Sequence, residues 1–110
     1  MTYSGGVRGL AADAAARHGI EIPTFSDETV SRMRDVLGED FPVTNPLDAT
    51  GLFTGGAEVV VALMEAVLAD PGVGTVLVQE DLPPSEGHNP ANRRRSKRVI
   101  ETMEMIEEKF

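Results

Sequence analysis

Four stretches of the chain carry apolar residues at helical spacing. The first predicted helix covers residues 7–18, and Gly19 is expected to end it because glycine adopts the left-handed cap at low cost. The second begins after Ser26, a favourable N-cap, and ends at Gly38. Its apolar face is formed by Val30, Met33 and Leu37.

The other two predicted helices lie in the second half of the chain. The third covers residues 57–69 and stops at Asp70-Pro71-Gly72. The fourth is capped by Asn89, with Pro90 in its first turn, where proline is tolerated. We expect its apolar face to contain Val99, Met103, Ile106 and Phe110.

Short apolar stretches between these helices are typical of strands. Residues 75–78 are apolar on both faces, residues 20–22 alternate, and residues 1–3 resemble the tail of a strand. Alternating strands and helices predict an α/β fold, with a parallel sheet covered by helices on both faces. The chain starts within a strand and stops after a helix, so we expect the sheet to be incomplete at both ends.

Composition narrows the functional classes. The 110 residues suit one small domain with 41% hydrophobic and 25% charged residues. A net charge of −8 argues against general binding to nucleic acid or anionic membranes. The absence of cysteine excludes disulfides, thiolate metal sites and cysteine nucleophiles. No membrane helix or signal peptide is visible, so a cytoplasmic location is expected.

The first chemical candidate is the turn Ser4-Gly5-Gly6 with the following Val7 and Arg8. Glycines let a backbone approach a ligand closely, and the free N–H groups of a helix start favour anions. Ser4 offers a hydroxyl and Arg8 a forked cationic donor for phosphate. A tight turn without any ligand is about as well supported by this spacing.

The other candidate residues are better explained by structural roles than by chemistry. Asn45 and Asp48 belong to a rigid turn, and a lone carboxylate lacks a partner for acid–base work. His18 and His88 have no neighbours at metal-ligand spacing, so no metal site is expected. The basic residues 93–98 precede several glutamates at helical spacing, which favours a solvated or subunit-contacting face.

Three segments in order resemble NDP-forming acyl-CoA synthetases. They are residues 4–13, the Asn45-Pro46-Leu47-Asp48 turn, and residues 66–71 ahead of residues 76–78. The resemblance covers the chain from Thr2 to about Pro84. It implies one succinyl-CoA ligase-like, three-layer flavodoxin-like domain over residues 1–110, as a fragment that lacks its final strands.

The resemblance also implies a role. In that family, acyl-CoA, NDP and phosphate interconvert with acid, CoA and NTP through a phosphohistidine held between two helix starts. The helix after Ser4-Gly5-Gly6 corresponds to one of these. The family's Ser-His-Thr-Gly segment is absent here, so neither His18 nor His88 inherits the phosphorylated position.

We therefore expect a component that is inactive alone and binds no cofactor by itself. CoA, ATP or ADP, and Mg are implied for the complete enzyme, with CoA-binding and ATP-grasp domains as partners. A homo-oligomer is left open. The alternative is a non-catalytic α/β module that binds a small anion or a protein partner.

Overall fold

The computed structural model describes residues 1–50, 56–79 and 90–110. In these ranges the chain forms four α-helices. They are α1 (Gly5–Arg17), α2 (Asp27–Leu37), α3 (Ala57–Leu68) and α4 (Pro90–Lys109). The four predicted helices are confirmed with small differences at their ends. The predicted cap Asn89 lies outside the described residues.

The end of α1 is determined by its local sequence. Gly19 has a φ of 65°, which places it in the left-handed region that favours glycine. The N–H of Gly19 donates to Ala16 O (3.3 Å) and that of Ile20 donates to Ala15 O (2.9 Å). This paired arrangement is a Schellman motif, and it satisfies carbonyls that the helix end would otherwise leave unpaired.

The core lies between α2, α3 and the turn that contains Leu47. Met33 and Leu63 are its fully buried large side chains. Phe25, Leu47 and Ala66 complete the cluster. α3 packs against both α2 and α4, whereas α1 buries only Ala15.

The predicted three-layer, flavodoxin-like parallel sheet is wrong for this structure. The described residues contain no sheet, and their β-pairing is one isolated parallel bridge between Thr2 and Asp48. Residues 75–79 form no strand; Leu77 O accepts from the N-terminal amine of Met1 (2.7 Å) and the Gln79 N–H donates to Met1 O (3.0 Å). A β-ladder needs several consecutive paired residues on each strand. Only residues 1–4 precede α1, which is too few for such a strand.

The predicted strand over residues 20–22 is also absent. The N–H of Ile20 is used by the C-terminal motif of α1, and Pro23 has no N–H to donate. Tertiary packing of helices therefore dominates the described fold. That residues 1–110 form one domain stays a prediction.

The apolar face of α4 is narrower than predicted. Val99 is buried and Ile106 is partly buried, but Met103 and Phe110 are largely exposed. The inner side of α4 is held against α3, and Lys109 Nζ lies 2.7 Å from Glu65 Oε1. Two residues of the expected core-facing stripe thus lie on the outer surface.

Candidate functional site

The start of α1 presents backbone donors at the surface. Ser4 is the N-cap, with extended backbone and no capping hydrogen bond from its side chain. The first intrahelical bond runs from the Arg8 N–H to Ser4 O (2.9 Å). The N–H groups of Gly5, Gly6 and Val7 precede that bond, and no acceptor for them lies among the described residues. They form the positive end of the helix dipole.

Both glycines of the turn are exposed, but they differ in their surroundings. A Cβ added to Gly5 would lie 3.1 Å from Asp48 Oδ2, which is closer than an ordinary contact. A Cβ at Gly6 would lie 3.7 Å from Ser4 Oγ, at an ordinary contact distance. Glycine at position 5 therefore lets a carboxylate approach the first turn of α1.

Asp48 carries a negative charge beside this helix start. Its Oδ1 accepts hydrogen bonds from the Thr50 hydroxyl (2.6 Å) and the Thr50 N–H (2.9 Å). These two bonds, and to a smaller degree the charge of Arg8, lower the pKa of Asp48 although partial burial opposes the shift. The carboxylate is therefore ionised at neutral pH.

The β-bridge between Thr2 and Asp48 explains why Asp48 lies here. The Thr2 N–H donates to Leu47 O (2.9 Å), and the Ala49 N–H donates to Thr2 O (2.7 Å). Thr2, Leu47 and Ala49 are all buried, which fixes the bridge. Asp48 is held between them, next to the residues that begin α1.

Asn45 has a turn-fixing role in the structure. Its Nδ2 donates to Pro23 O (2.9 Å), across 22 positions of sequence. The Asn45–Pro46 peptide bond is cis, and Thr44 Oγ1 donates to Pro46 O (3.1 Å). The side-chain amide thus ties the turn to the segment before α2.

The remaining sequence candidates do not join this site. His18 is the C-cap of α1, so it lies at the other end of the helix, and His88 lies outside the described residues. Lys97 pairs with Glu101 at 3.4 Å, as the helical spacing predicts. Over the described ranges, no group of three His, Asp or Glu side chains could hold a metal ion.

An open apolar groove of about 740 Å³ runs beside α1. Val7, Leu10 and Ala14 line it from α1, and Val73 and Leu77 line it from the extended segment after α3. The groove exists because α1 buries so little of its own surface. Leu10 and Leu77 accordingly remain exposed.

The rigid turn expected at Asp48 is one in which an aspartate accepts from the backbone two residues later, and the Thr50 N–H is that donor. Sequence reasoning missed the second bond, from the Thr50 hydroxyl. No signal in the sequence shows that the same carboxylate lies against Gly5. That contact joins segments more than forty residues apart.

Comparison with known proteins finds sequence similarity over part of the chain. No protein-family model matches the chain. Over 81 residues, or 71% of the chain, it is 33% identical to a protein described as "Trans-feruloyl-CoA synthase FCS1" from an unknown prokaryotic organism. The chain spans 12% of that protein's length. It is therefore similar to a segment of a CoA synthase, which agrees with the acyl-CoA ligase part of the predicted resemblance.

Among the helices in residues 1–50, 56–79 and 90–110, none is long and apolar enough to cross a bilayer.

Proposed function

We propose that this chain is a module of an NDP-forming acyl-CoA synthetase and that the start of α1 receives the phosphoryl group of a phosphohistidine. The reaction would interconvert acyl-CoA, NDP and phosphate with acid, CoA and NTP. The observation that carries the proposal is the exposed helix start, where the N–H groups of Gly5, Gly6 and Val7 make no hydrogen bond to the described residues. The similarity to a segment of a CoA synthase supports the ligase part.

Each residue of the helix start has a defined part in this proposal. The three N–H groups would donate to phosphoryl oxygens, as helix starts do in many phosphate sites. The hydroxyl of Ser4 and the guanidinium of Arg8 would add further donors. The ionised carboxylate of Asp48 opposes them, so the group would be held weakly and released readily, as a transfer step requires.

In this proposal neither His18 nor His88 takes or gives the phosphoryl group. Other parts of the enzyme would provide the phosphorylated histidine, with CoA-binding and ATP-grasp domains holding CoA, ATP or ADP, and Mg. The chain alone would then be inactive, and its setting cytoplasmic. The acyl substrate would be bound mainly outside this chain.

A second function is favoured by Asp48 itself. Because its carboxylate already lies beside Gly5, the helix start has an internal anion and does not require a ligand. Of the two forms of the alternative, that contact favours a non-catalytic module that binds a protein partner over one that binds a small anion, because an anion at this helix start would be repelled by Asp48.

A titration of the ¹⁵N-labelled chain distinguishes the two functions. We expect inorganic phosphate to shift the amide signals of Gly5, Gly6 and Val7, and a peptide carrying a stable phosphohistidine analogue to bind more tightly than phosphate. Arg8→Ala should weaken both interactions. Arg17→Ala, which removes an exposed arginine from the opposite end of α1, is the matched control.

The other outcomes of this titration would argue against the synthetase role or against the anion site itself. Equal, weak binding of phosphate, sulfate and the peptide would favour a small-anion module over the synthetase role. Amide signals that do not move with any of the three ligands would rule out an anion site at the start of α1.

A further inference from the structure

The open groove beside α1 is lined by three large apolar side chains that are mostly exposed. They are Leu10, Ile20 and Leu77, with exposed fractions of 67%, 63% and 78%. Among the described helices, α3 packs closely against α2 and α4, whereas α1 has no such partner. Single exposed apolar residues are common, but a group of them along one groove is typical of an interaction surface.

Two charges of opposite sign follow one edge of this groove. Positions 10, 13, 14 and 17 are separated by three and four residues, so they share one face of α1. Leu10 and Ala14 line the groove, and Asp13 and Arg17 are exposed beside them. Neither Asp13 nor Arg17 forms an ion pair within the described part of the chain. We call these four residues the groove face of α1.

We propose that two copies of this chain associate through the groove face, with the two α1 helices antiparallel about a twofold axis. A register centred near position 15 would place Asp13 opposite Arg17 of the partner subunit. Because the axis is twofold, this ion pair would occur twice. The same register would bring Leu10 against Ile20 of the partner subunit and cover the groove of each copy.

A second copy fits this surface because the charges of the groove face are complementary to their own reversed order. A twofold interface requires one patch to match itself, and antiparallel helices meet along the same edge. An acid followed by a base four residues later then faces a base and an acid. A parallel pairing would oppose like charges and would be unfavourable, so the charges select the antiparallel arrangement.

The proposed interface leaves the start of α1 outside the contact between the helices. A twofold axis near position 15 passes close to the C-terminal end of α1, which ends at Arg17. Gly5 and Gly6 lie about 14 Å from that axis along the helix, at a rise of about 1.5 Å per residue. The association therefore does not rest on phosphate binding at the helix start, and the two can be tested separately.

Analytical ultracentrifugation of charge-reversed variants tests the pairing. We expect the unmodified chain to dimerise in a concentration-dependent manner. Asp13→Lys should be monomeric at concentrations where the unmodified chain is dimeric, and so should Arg17→Glu, because each brings like charges together twice. An equimolar mixture of the two should form a heterodimer with both ion pairs restored. The chain that carries both substitutions should also dimerise, because its charges are exchanged but still complementary.

Matched controls carry the same charge changes on another helix. They are Asp35→Lys and Arg34→Glu, both at exposed positions of α2, and they should dimerise like the unmodified chain. Leu10→Ser should weaken dimerisation at least about tenfold, because the leucine is buried in the dimer. Ile100→Ser, at a position of α4 that is 53% exposed, should leave dimerisation unchanged. Circular dichroism checks that every variant is folded.

Three results would overturn the proposal. The first is an unmodified chain that stays monomeric up to about 1 mM, where the standard free energy of association is only about −4 kcal/mol. The second is the absence of dimers both in the mixture of the two folded variants and in the chain that carries both substitutions. The third is a loss of dimerisation in the α2 controls that equals the loss in the α1 variants.

Discussion

Asp48 and Arg8 place opposite charges beside the first turn of α1. The carboxylate lies against Gly5, and the charge of Arg8 contributes to its lowered pKa. An added anion would meet attraction from Arg8 and the helix dipole, and repulsion from Asp48. In the proposed site, the balance of these single residues would decide how strongly the helix start binds phosphate.

Asp48→Asn should therefore strengthen phosphate binding. The substitution removes a negative charge but keeps an oxygen that can accept from Thr50, so the turn is retained. Two unit charges at about 4 Å in water interact by about 1 kcal/mol, which corresponds to about a fivefold lower Kd. The shifts of the Gly5 and Gly6 amide signals with phosphate concentration give this Kd at low salt.

Asp13→Asn is the control for this measurement, since it removes an exposed carboxylate from the middle of α1. It should change the phosphate Kd much less than Asp48→Asn. The gain in Asp48→Asn should also shrink as salt is raised, because ions screen the repulsion. An unchanged Kd in Asp48→Asn would show that its charge does not act on the anion.

At the scale of elements, α2 has a side-chain cap at its start and a glycine stop at its end. Ser26 Oγ accepts from the Thr29 N–H (3.3 Å), and Asp27 and Glu28 lie in the first turn, where the dipole favours acids. Gly38 ends the helix with a φ of 96°. The sequence predicted this element closely because its signals are local.

Ser26→Ala should lower the free energy of unfolding by about 1 kcal/mol, the usual cost of losing an N-cap side chain. The backbone N–H of position 26 remains, so its bond to Asp70 Oδ2 (2.8 Å) is kept and the hydroxyl alone is tested. Urea denaturation measures the change. Ser31→Ala, at an exposed position inside α2, is the control and should be nearly neutral. Equal effects in the two variants would contradict the capping role.

At the scale of the whole molecule, Asp70 connects two elements that are distant in sequence. Its Oδ2 accepts from the Ser26 N–H at the start of α2, and its Oδ1 accepts from the Gly72 N–H (2.8 Å) in the turn after α3. Hydrogen bonds to its carboxylate lower the pKa of Asp70 from 3.8 to about 2. The bond from the Ser26 N–H contributes most, followed by those from the Thr29 side chain and the Gly72 N–H. The ionised form is therefore favoured by folding.

This coupling predicts a loss of stability in acid. Because the folded pKa is below the unfolded one, the contribution of Asp70 is complete above about pH 4 and is lost as the pH falls towards 2. Asp70→Asn should destabilise the chain at pH 6 and flatten the decline between pH 4 and 2. Urea denaturation at several pH values measures both effects.

Asp35→Asn serves as the comparison, since Asp35 is exposed on α2. It should keep the acid-induced decline of the unmodified chain. Parallel stability curves for Asp70→Asn and the unmodified chain would show that the Asp70 carboxylate does not link folding to pH.

The sequence predicted the helices well and the sheet wrongly, for one physical reason. Caps, glycine stops and apolar spacing act within a few residues, as at Ser26, Gly19 and Gly38. A sheet depends on pairing between distant segments, and within the described residues the β-pairing is one isolated bridge between Thr2 and Asp48. The apolar run at residues 75–78 therefore did not specify a strand.

By itself, the sequence determined the four helices, the glycine turn at the start of α1 and the similarity to a segment of a CoA synthase. Only the tertiary structure decided that Asp48 lies against Gly5, that Asp70 holds the start of α2, and that Met103 and Phe110 face outwards. Local signals are encoded in neighbouring residues. The surroundings of a carboxylate or of one helix face depend instead on which distant segments pack beside it.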